Sequence, residues 1–113
     1  NYPKTLVAFN SIGMAVDATV TPLLSFNVSE VRKMSAGTFR IRFYNKAPST
    51  NLLVFAQAKH PGRADCVART AWTATIEVRD ANGALSDNDY ITAMVFCPTA
   101  GYGSSGDQGD GGY

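Results

Sequence analysis

Hydrophobic and polar residues alternate with a period of two in two neighbouring segments of the chain. The apolar positions are Leu24, Phe26 and Val28 within residues 23–34, and Phe39, Ile41 and Phe43 within residues 38–44. A short connection that contains Gly37 separates the two segments. Such alternation on both sides of a glycine-bearing turn predicts an antiparallel hairpin with one buried face. A hairpin of this kind is a scaffold, so we look for function elsewhere in the chain.

Five further segments show strand signals, with β-branched and aromatic residues bounded by turn residues. They are residues 5–10, 52–59, 66–69, 73–79 and 90–97. Residues 66–69 and 73–79 are two separate strands or join as one long strand with a bulge near Ala71, and the sequence leaves both options open. The Asn82-Gly83 dipeptide predicts a tight turn, because both residue types tolerate positive φ. The predicted fold is an all-β, antiparallel β-sandwich of about seven strands.

The last predicted strand, residues 90–97, has apolar residues on both of its faces. Ile91 and Val95 lie on one face, and Met94 and Phe96 lie on the other. This pattern is typical of a strand that is central in a sandwich or packed against another subunit. Met94 and Phe96 are therefore our candidates for a subunit interface.

After Pro98 the composition changes to Gly, Ser, Asp and Tyr, with six glycines among the last thirteen residues. We divide the chain into a β-sandwich domain, residues 1–98, and a Gly-rich tail, residues 99–113. The glycines around Tyr102 and Tyr113 would leave both rings exposed, so these tyrosines are candidate ligand contacts. Because the chain starts with Asn1 in mid-pattern, we expect a processed protein or a piece of a longer polypeptide.

Composition and charge limit the classes of partner. The chain has 113 residues, which fits one domain, and a formal net charge of +1. That balance predicts no general attraction to nucleic acid or anionic membrane. The sequence also contains no run of 18 apolar residues, so we expect no insertion into a bilayer.

Two cysteines, Cys66 and Cys97, lie at the edges of predicted strands. They could form a disulfide or remain two free thiols, and the spacing leaves both options open. Together with the single histidine they cannot make a four-ligand structural zinc site without acidic ligands or another subunit. We predict no metal and no cofactor.

Residues suited to catalysis are few. His60, the single histidine, lies beside Pro61 in a predicted turn, which favours an exposed loop position over a general base. Oxygen ligands for calcium concentrate in residues 80–89, but their spacing matches no EF-hand loop. Turn formation explains these acidic residues better than acid–base catalysis does. The sequence predicts a protein without enzymatic activity.

Arg40 and Arg42 point to the same side of one predicted strand, where they could bind a phosphate or a carboxylated sugar. A solvated face with cross-strand pairing to Glu30 or Glu77 is the simpler interpretation. For Trp72 we favour packing in the core over stacking on a ligand.

Three stretches of this sequence resemble a domain found near the C-termini of tail fibre proteins of tailed bacteriophages. They are Leu-Val-Ala-Phe-Asn-Ser-Ile-Gly at residues 6–13, Ser-Phe-Asn-Val-Ser-Glu-Val at 25–31 and Gly-Thr-Phe-Arg-Ile-Arg-Phe at 37–43. The family pattern is approximately Val-x-Phe-Asn-Gly-x-Gly, Asn-Val-Ser-x-Val and Gly-x-Tyr-x-Val-x-Phe. The chain departs from it at Ser11 and Phe39, and a weaker similarity continues through residues 51–58 and 89–96.

The resemblance implies a homotrimeric tip of a virion tail fibre that contacts host cell-surface polysaccharide. If strands run up and down from a fibre shaft, we expect the polar loops 11–22, 45–51 and 80–89 at the far end. The candidate receptor contacts are Asn45, Lys46, Asn51, Asn82, Asp87, Asn88, Tyr102 and Tyr113.

Other functions are open on the sequence. The domain could be a structural cap that ends the trimer without binding a receptor. It could also be a lectin-like or adhesion β-sandwich of a secreted protein, which a Cys66–Cys97 disulfide would support. A polysaccharide depolymerase is the least favoured, because no converging pair of acids is visible.

Overall fold

A computed structural model describes residues 5–97, and these form nine antiparallel strands in two packed sheets. The predicted all-β sandwich is confirmed. The strands are β1 Thr5–Phe9, β2 Thr19–Val20, β3 Leu24–Phe26, β4 Val28–Ser35, β5 Thr38–Phe43, β6 Leu53–Ala58, β7 Arg63–Arg69, β8 Thr73–Arg79 and β9 Ile91–Phe96.

One sheet has four strands in the order β3-β1-β9-β6, and the other has five in the order β2-β4-β5-β8-β7. The chain crosses between the sheets after β1, after β2, after β3, after β5, after β6 and after β8. Because consecutive strands often lie in opposite sheets, the fold is held together by contacts between the two inner faces.

The core lies between the sheets and is built from alternate residues of the strands. Phe9 of β1 and Phe39 of β5 meet across it, with ring centroids 5.2 Å apart in an edge-to-face arrangement. Burial of a side chain of this size contributes about 1.5–3 kcal/mol. The largest fully buried hydrophobic side chains are Val7, Phe9, Val20, Val31, Phe39, Ile41, Phe43, Ile76, Val78, Ile91 and Val95.

The prediction of one strand over residues 23–34 is wrong, because the chain changes sheets at Asn27. This residue has a φ of 59° and separates β3 from β4. Its Nδ2 donates to Thr5 Oγ1 at 3.1 Å, and its Oδ1 accepts the backbone N–H of Asn45 at 3.0 Å. As a result Leu24 and Phe26, which we expected on a buried face, are exposed on the four-stranded sheet.

The hairpin around Gly37 is confirmed as β4 and β5, with Val31 opposite Ile41. Gly37 has a φ of +70°, and an added Cβ would lie 2.6 Å from the backbone nitrogen of Ser86. The turn therefore requires glycine for both its conformation and its close approach to the segment after β8.

Residues 66–69 and 73–79 form two separate strands and do not join into one. They belong to β7 and β8, which pair with each other as a hairpin. Thr70 Oγ1 accepts the backbone N–H groups of Trp72 and Thr73 at 3.1 and 2.9 Å and so stabilises the turn. The seven predicted strands become nine because residues 23–34 are divided and β2 is added.

The last strand, β9, is central in the four-stranded sheet, between β1 and β6. Its inward residues Ile91, Ala93 and Val95 are buried. Cys66 and Cys97 are both free thiols, half-buried and packed against the core.

Candidate functional site

The outward surfaces of the two sheets differ in character. The four-stranded sheet turns mostly apolar side chains outward, which we call the apolar face. Its members are Leu6, Leu24, Phe26, Leu53, Phe55, Met94 and Phe96. The outer side of the five-stranded sheet carries mainly charged and hydroxyl side chains.

A single row of apolar side chains crosses all four strands of the apolar face. Phe26 lies opposite Leu6, Leu6 opposite Met94, and Met94 opposite Phe55. Phe26, Phe55 and Met94 are 54%, 57% and 38% exposed. A contiguous apolar surface of this kind is typical of an interface rather than of a solvated sheet.

Both predicted interface residues belong to this face. Met94 lies in the centre of the row, and Phe96 packs edge-to-face against Phe55 with ring centroids 5.8 Å apart. The structure adds members that the sequence analysis missed, above all Phe26 and Leu24. Their outward orientation follows from the change of sheet at Asn27.

Ion pairs cover part of the opposite surface. Arg32 Nη2 bonds Glu30 Oε2 at 2.7 Å, and Arg79 Nη2 bonds Glu77 Oε1 at 2.9 Å. The bond from Arg32 holds the pKa of Glu30 below its usual value, and the positive charge of Arg40 acts in the same direction. Partial burial of Glu30 opposes these effects. The same contact raises the pKa of Arg32.

A second group on this surface combines basic and aromatic side chains, and we call it the basic-aromatic patch: Arg40, Arg42, Tyr44 and Trp72. The guanidinium carbon of Arg42 lies 5.4 Å from the centre of the Trp72 ring, which is a cation–π distance. Trp72 is 41% exposed and Tyr44 is 71% exposed. Trp72 is therefore half-buried at the surface, and it does not belong to the core cluster.

The predicted receptor loops do not share one end of the sandwich. The registers place Phe9 opposite Ile91 and Thr5 opposite Val95. Residues 11–22 and 80–89 therefore lie together at the end away from Thr5, which we call the far end. The loop of residues 45–51 connects β5 to β6 at the other end, where Ser49 approaches Cys97.

The prediction of a common end is accordingly wrong for Asn45, Lys46 and Asn51. All three are exposed, but at the end where β1 begins. The reason is the topology, because β5 runs back toward the start of β1 before the chain crosses to the other sheet.

Two of the candidate receptor contacts at the far end, Asp87 and Asn88, form bonds to other residues of the protein. Asp87 Oδ2 accepts from Lys33 Nζ at 2.8 Å. Asn88 accepts the backbone N–H of Ser11 at its carbonyl and donates its side-chain Nδ2–H to the carbonyl of Lys59 at 3.0 Å. Asn82 is exposed beside the turn that Asp80 Oδ1 stabilises. Among the three candidates, Asn82 is the one best placed to contact a ligand.

Lys33 is a charged residue on the buried side of β4. It points inward and is 5% exposed. Its Nζ also donates to the carbonyl of Met14 at 2.8 Å. The alternation of β4, in which Val31 is buried, is the sequence signal that could have predicted this orientation.

Each acidic residue of the 80–89 loop bonds to a different partner within the protein. Asp80 accepts backbone N–H groups within its own turn, and Asp89 lies 3.4 Å from Lys59. Within residues 5–97, no three His, Cys, Asp or Glu side chains come close enough to hold a metal ion. His60 is exposed in the connection between β6 and β7.

Two predicted contacts, Tyr102 and Tyr113, and the Gly-rich tail 99–113 lie outside the described residues. In the part of the chain that the structure covers, no helix is long and apolar enough to cross a membrane.

Comparison of the chain with models of protein families, with curated proteins and with solved structures found no match in any of the three.

Proposed function

We propose that this chain is the receptor-binding tip of a bacteriophage tail fibre, a homotrimer without enzymatic activity. One observation carries the proposal: the row Phe26, Leu6, Met94 and Phe55 crosses an entire sheet with its apolar side chains outward. Association of copies through this face would remove those side chains from water, which is the main driving force for such assembly. The charged face of the other sheet would remain in solvent.

The number of three chains in the assembly, and its location at the tip of the virion tail fibre, come from the sequence resemblance. In a threefold arrangement each copy turns its apolar face toward the common axis. Arg32, Arg79 and their glutamate partners lie on the outer side of the other sheet, which would stay on the outside of the trimer. This separation of apolar and charged surfaces supports the orientation.

The receptor in this proposal is host cell-surface polysaccharide. If a shaft joins at the end where β1 begins, residues 11–22 and 80–89 form the end of the fibre. Exposed groups there include Ile12 and Asn82. The bonds of Lys33 and Asn88 would hold these loops in a fixed arrangement, which lowers the entropy lost on binding.

The test uses labelled full-length chain and pairs of bacterial strains that differ only in having or lacking their surface polysaccharide. We expect binding to at least one parent strain and none to its polysaccharide-deficient partner. Asn82→Ala should reduce this binding, whereas Asn51→Ala, at the opposite end, should not. Equal binding to both members of every pair would contradict the proposal.

A structural trimer cap is the second candidate, and the internal use of Asp87 and Asn88 favours it. A cap would form the trimer and bind no strain. The lectin-like alternative has less support, because the disulfide that would favour it is not formed in the structure.

A further inference from the structure

Two arginines of the basic-aromatic patch have hydrogen-bonding groups that the protein does not use. Arg40 and Arg42 follow each other on the outer side of β5. Each guanidinium has five N–H donors. Among residues 5–97 neither side chain makes a hydrogen bond or ion pair, and the covered Nε of Arg40 has no acceptor. The terminal N–H groups of both guanidiniums are thus free for an external acceptor, whereas the covered Nε of Arg40 is out of its reach.

Backbone contacts bring the aromatic members of the patch to the same place. The N–H of Phe43 donates to the carbonyl of Trp72 at 2.8 Å, so Tyr44 follows directly beside the turn that carries Trp72. The N–H of Ala47 donates to the carbonyl of Ala71 at 2.7 Å, which brings the loop of Lys46 to this turn as well. The Trp72 ring therefore adjoins the Arg42 guanidinium, and Tyr44 lies next to the same turn.

The carboxylate near these arginines does not satisfy them. Glu30 lies opposite Arg42 in the β4–β5 register, but it accepts bonds from Arg32 at 2.7 Å and from Thr19 at 3.3 Å. The patch retains the positive charges of Arg40 and Arg42, and Lys46 adds another at its border. Its surroundings thus favour an anion.

From this arrangement we infer that the basic-aromatic patch binds the carboxylated sugars of an acidic polysaccharide. The guanidinium groups of Arg40 and Arg42 bond a uronate carboxylate, and the Trp72 and Tyr44 rings contact the sugar rings. Arginine suits this role because its planar fork matches the two oxygens of a carboxylate. The inference rests on the proposed function in one respect. It requires the outer side of the five-stranded sheet to remain exposed to solvent in the trimer.

Nucleic acid fits the patch less well. Binding to a duplex relies on many phosphate contacts along a broad basic surface. Here the formal net charge of the chain is +1, and Glu30 and Glu77 share the face with the arginines. A short anionic sugar segment requires only the local pair of arginines.

The test uses the fluorescence of Trp72, the single tryptophan of the chain. Full-length protein is titrated with an oligomer of galacturonic acid, and separately with a neutral galactose oligomer, polyphosphate and duplex DNA. We expect a saturable change in emission with the uronate oligomer alone. Arg40→Gln and Arg42→Gln should each weaken binding about tenfold or more, as expected for loss of a charge-assisted hydrogen bond.

The matched control is Arg63→Gln, which removes an exposed arginine at the end of β7 away from the turn that carries Trp72. It should leave the affinity within about twofold, a small change on the scale where tenfold corresponds to about 1.4 kcal/mol. If a glutamine variant does not fold, Arg40→Lys and Arg42→Lys keep the charge but lose the two-pronged geometry, and should still weaken binding. Three results would overturn the inference: no uronate response, an equal loss in the Arg63→Gln control, or equal affinity for polyphosphate or DNA.

The molecular mass measured on the same samples separates this inference from the proposed function. A trimer that binds bacterial polysaccharide but not the uronate oligomer would remove the inference and leave the fibre-tip proposal. A monomer that binds the uronate oligomer through Arg40 and Arg42 would support the inference and contradict the fibre-tip proposal.

Discussion

Lys33 Nζ lies 2.8 Å from Asp87 Oδ2, and this ion pair connects β4 to the loop that precedes β9. The lysine is nearly buried, while a quarter of the aspartate side chain is exposed. Because Lys33 also donates to the carbonyl of Met14, it joins both far-end loops to one strand. A charged side chain at this position costs free energy to desolvate, so its contribution depends on keeping its partners.

We predict that Lys33→Met destabilises the domain by about 2–4 kcal/mol, since it leaves Asp87 partly buried without its partner. Chemical denaturation measures the change. The matched control is Lys59→Met, which breaks the exposed pair with Asp89 at the same end and should cost at most about 1 kcal/mol. The double variant Lys33→Met with Asp87→Leu should recover much of the loss. Equal losses of stability in Lys33→Met and Lys59→Met would show that the Lys33–Asp87 pair stabilises the fold no more than an exposed pair does.

A second prediction concerns two glycines with the same backbone conformation and different surroundings. Gly37 and Gly13 have φ values of +70° and +81°. A Cβ at Gly37 would lie 2.6 and 2.7 Å from backbone atoms of Ser86 and Val78, whereas at Gly13 it would meet no atom within 4 Å.

Gly37→Ala should therefore lower the free energy of unfolding by about 3 kcal/mol or more, from conformational strain and backbone overlap together. Gly13→Ala should cost about 1 kcal/mol, from the strain alone. Thermal and denaturant unfolding of both variants test this difference. Similar stabilities would contradict the described contact between the hairpin turn and the segment after β8.

The pH dependence of stability should reveal the Glu30–Arg32 bond. The pKa of Glu30 is lower in the folded protein than its ordinary value of about 4.3. Its ionised form therefore stabilises the folded state above that value, and the stabilisation is lost as pH falls through the folded pKa. The difference in stability between the natural protein and Glu30→Gln should be largest near neutral pH and disappear in acid.

The control is Glu30→Gln made in an Arg32→Gln background, which lacks the main cause of the pKa shift. There the substitution should produce a smaller pH dependence. Denaturation curves collected from pH 7 to pH 3 give the comparison. An unchanged pH dependence in this background would assign the effect to another group.

Local patterns predicted the elements well where one strand continued in one sheet. The β4–β5 hairpin followed from alternation around Gly37, and the alternation of Ala74, Ile76 and Val78 matched a strand with one buried face. The alternation of Leu24 and Phe26 was equally regular, but it continued through Asn27, where a single positive φ moves the chain to the other sheet. Alternation alone does not show which sheet a strand joins.

The candidate site depended on topology and was only partly predictable. Arg40 and Arg42 were recognised as neighbours because they share a strand, whereas Trp72 reaches them through the β7–β8 turn. That turn contains no Gly, Pro or Asn and relies on the hydroxyl of Thr70, so its sequence carried little signal. The placement of loop 45–51 likewise required the order of strands in both sheets.

The central claim is that copies of this chain associate through the apolar face, and molecular mass by sedimentation equilibrium tests it most directly. Phe26→Ser and Phe55→Ser replace side chains that are more than half exposed in one chain, so each should change the stability of the fold by about 1 kcal/mol or less. Val67→Ser, an exposed apolar position on β7, is the control and should keep the mass of the natural protein. At micromolar concentration we expect about 36 kDa for the natural protein, three times the 12.1 kDa of one chain, and monomers for the two phenylalanine variants. A monomeric natural protein, or variants that stay trimeric, would contradict the account.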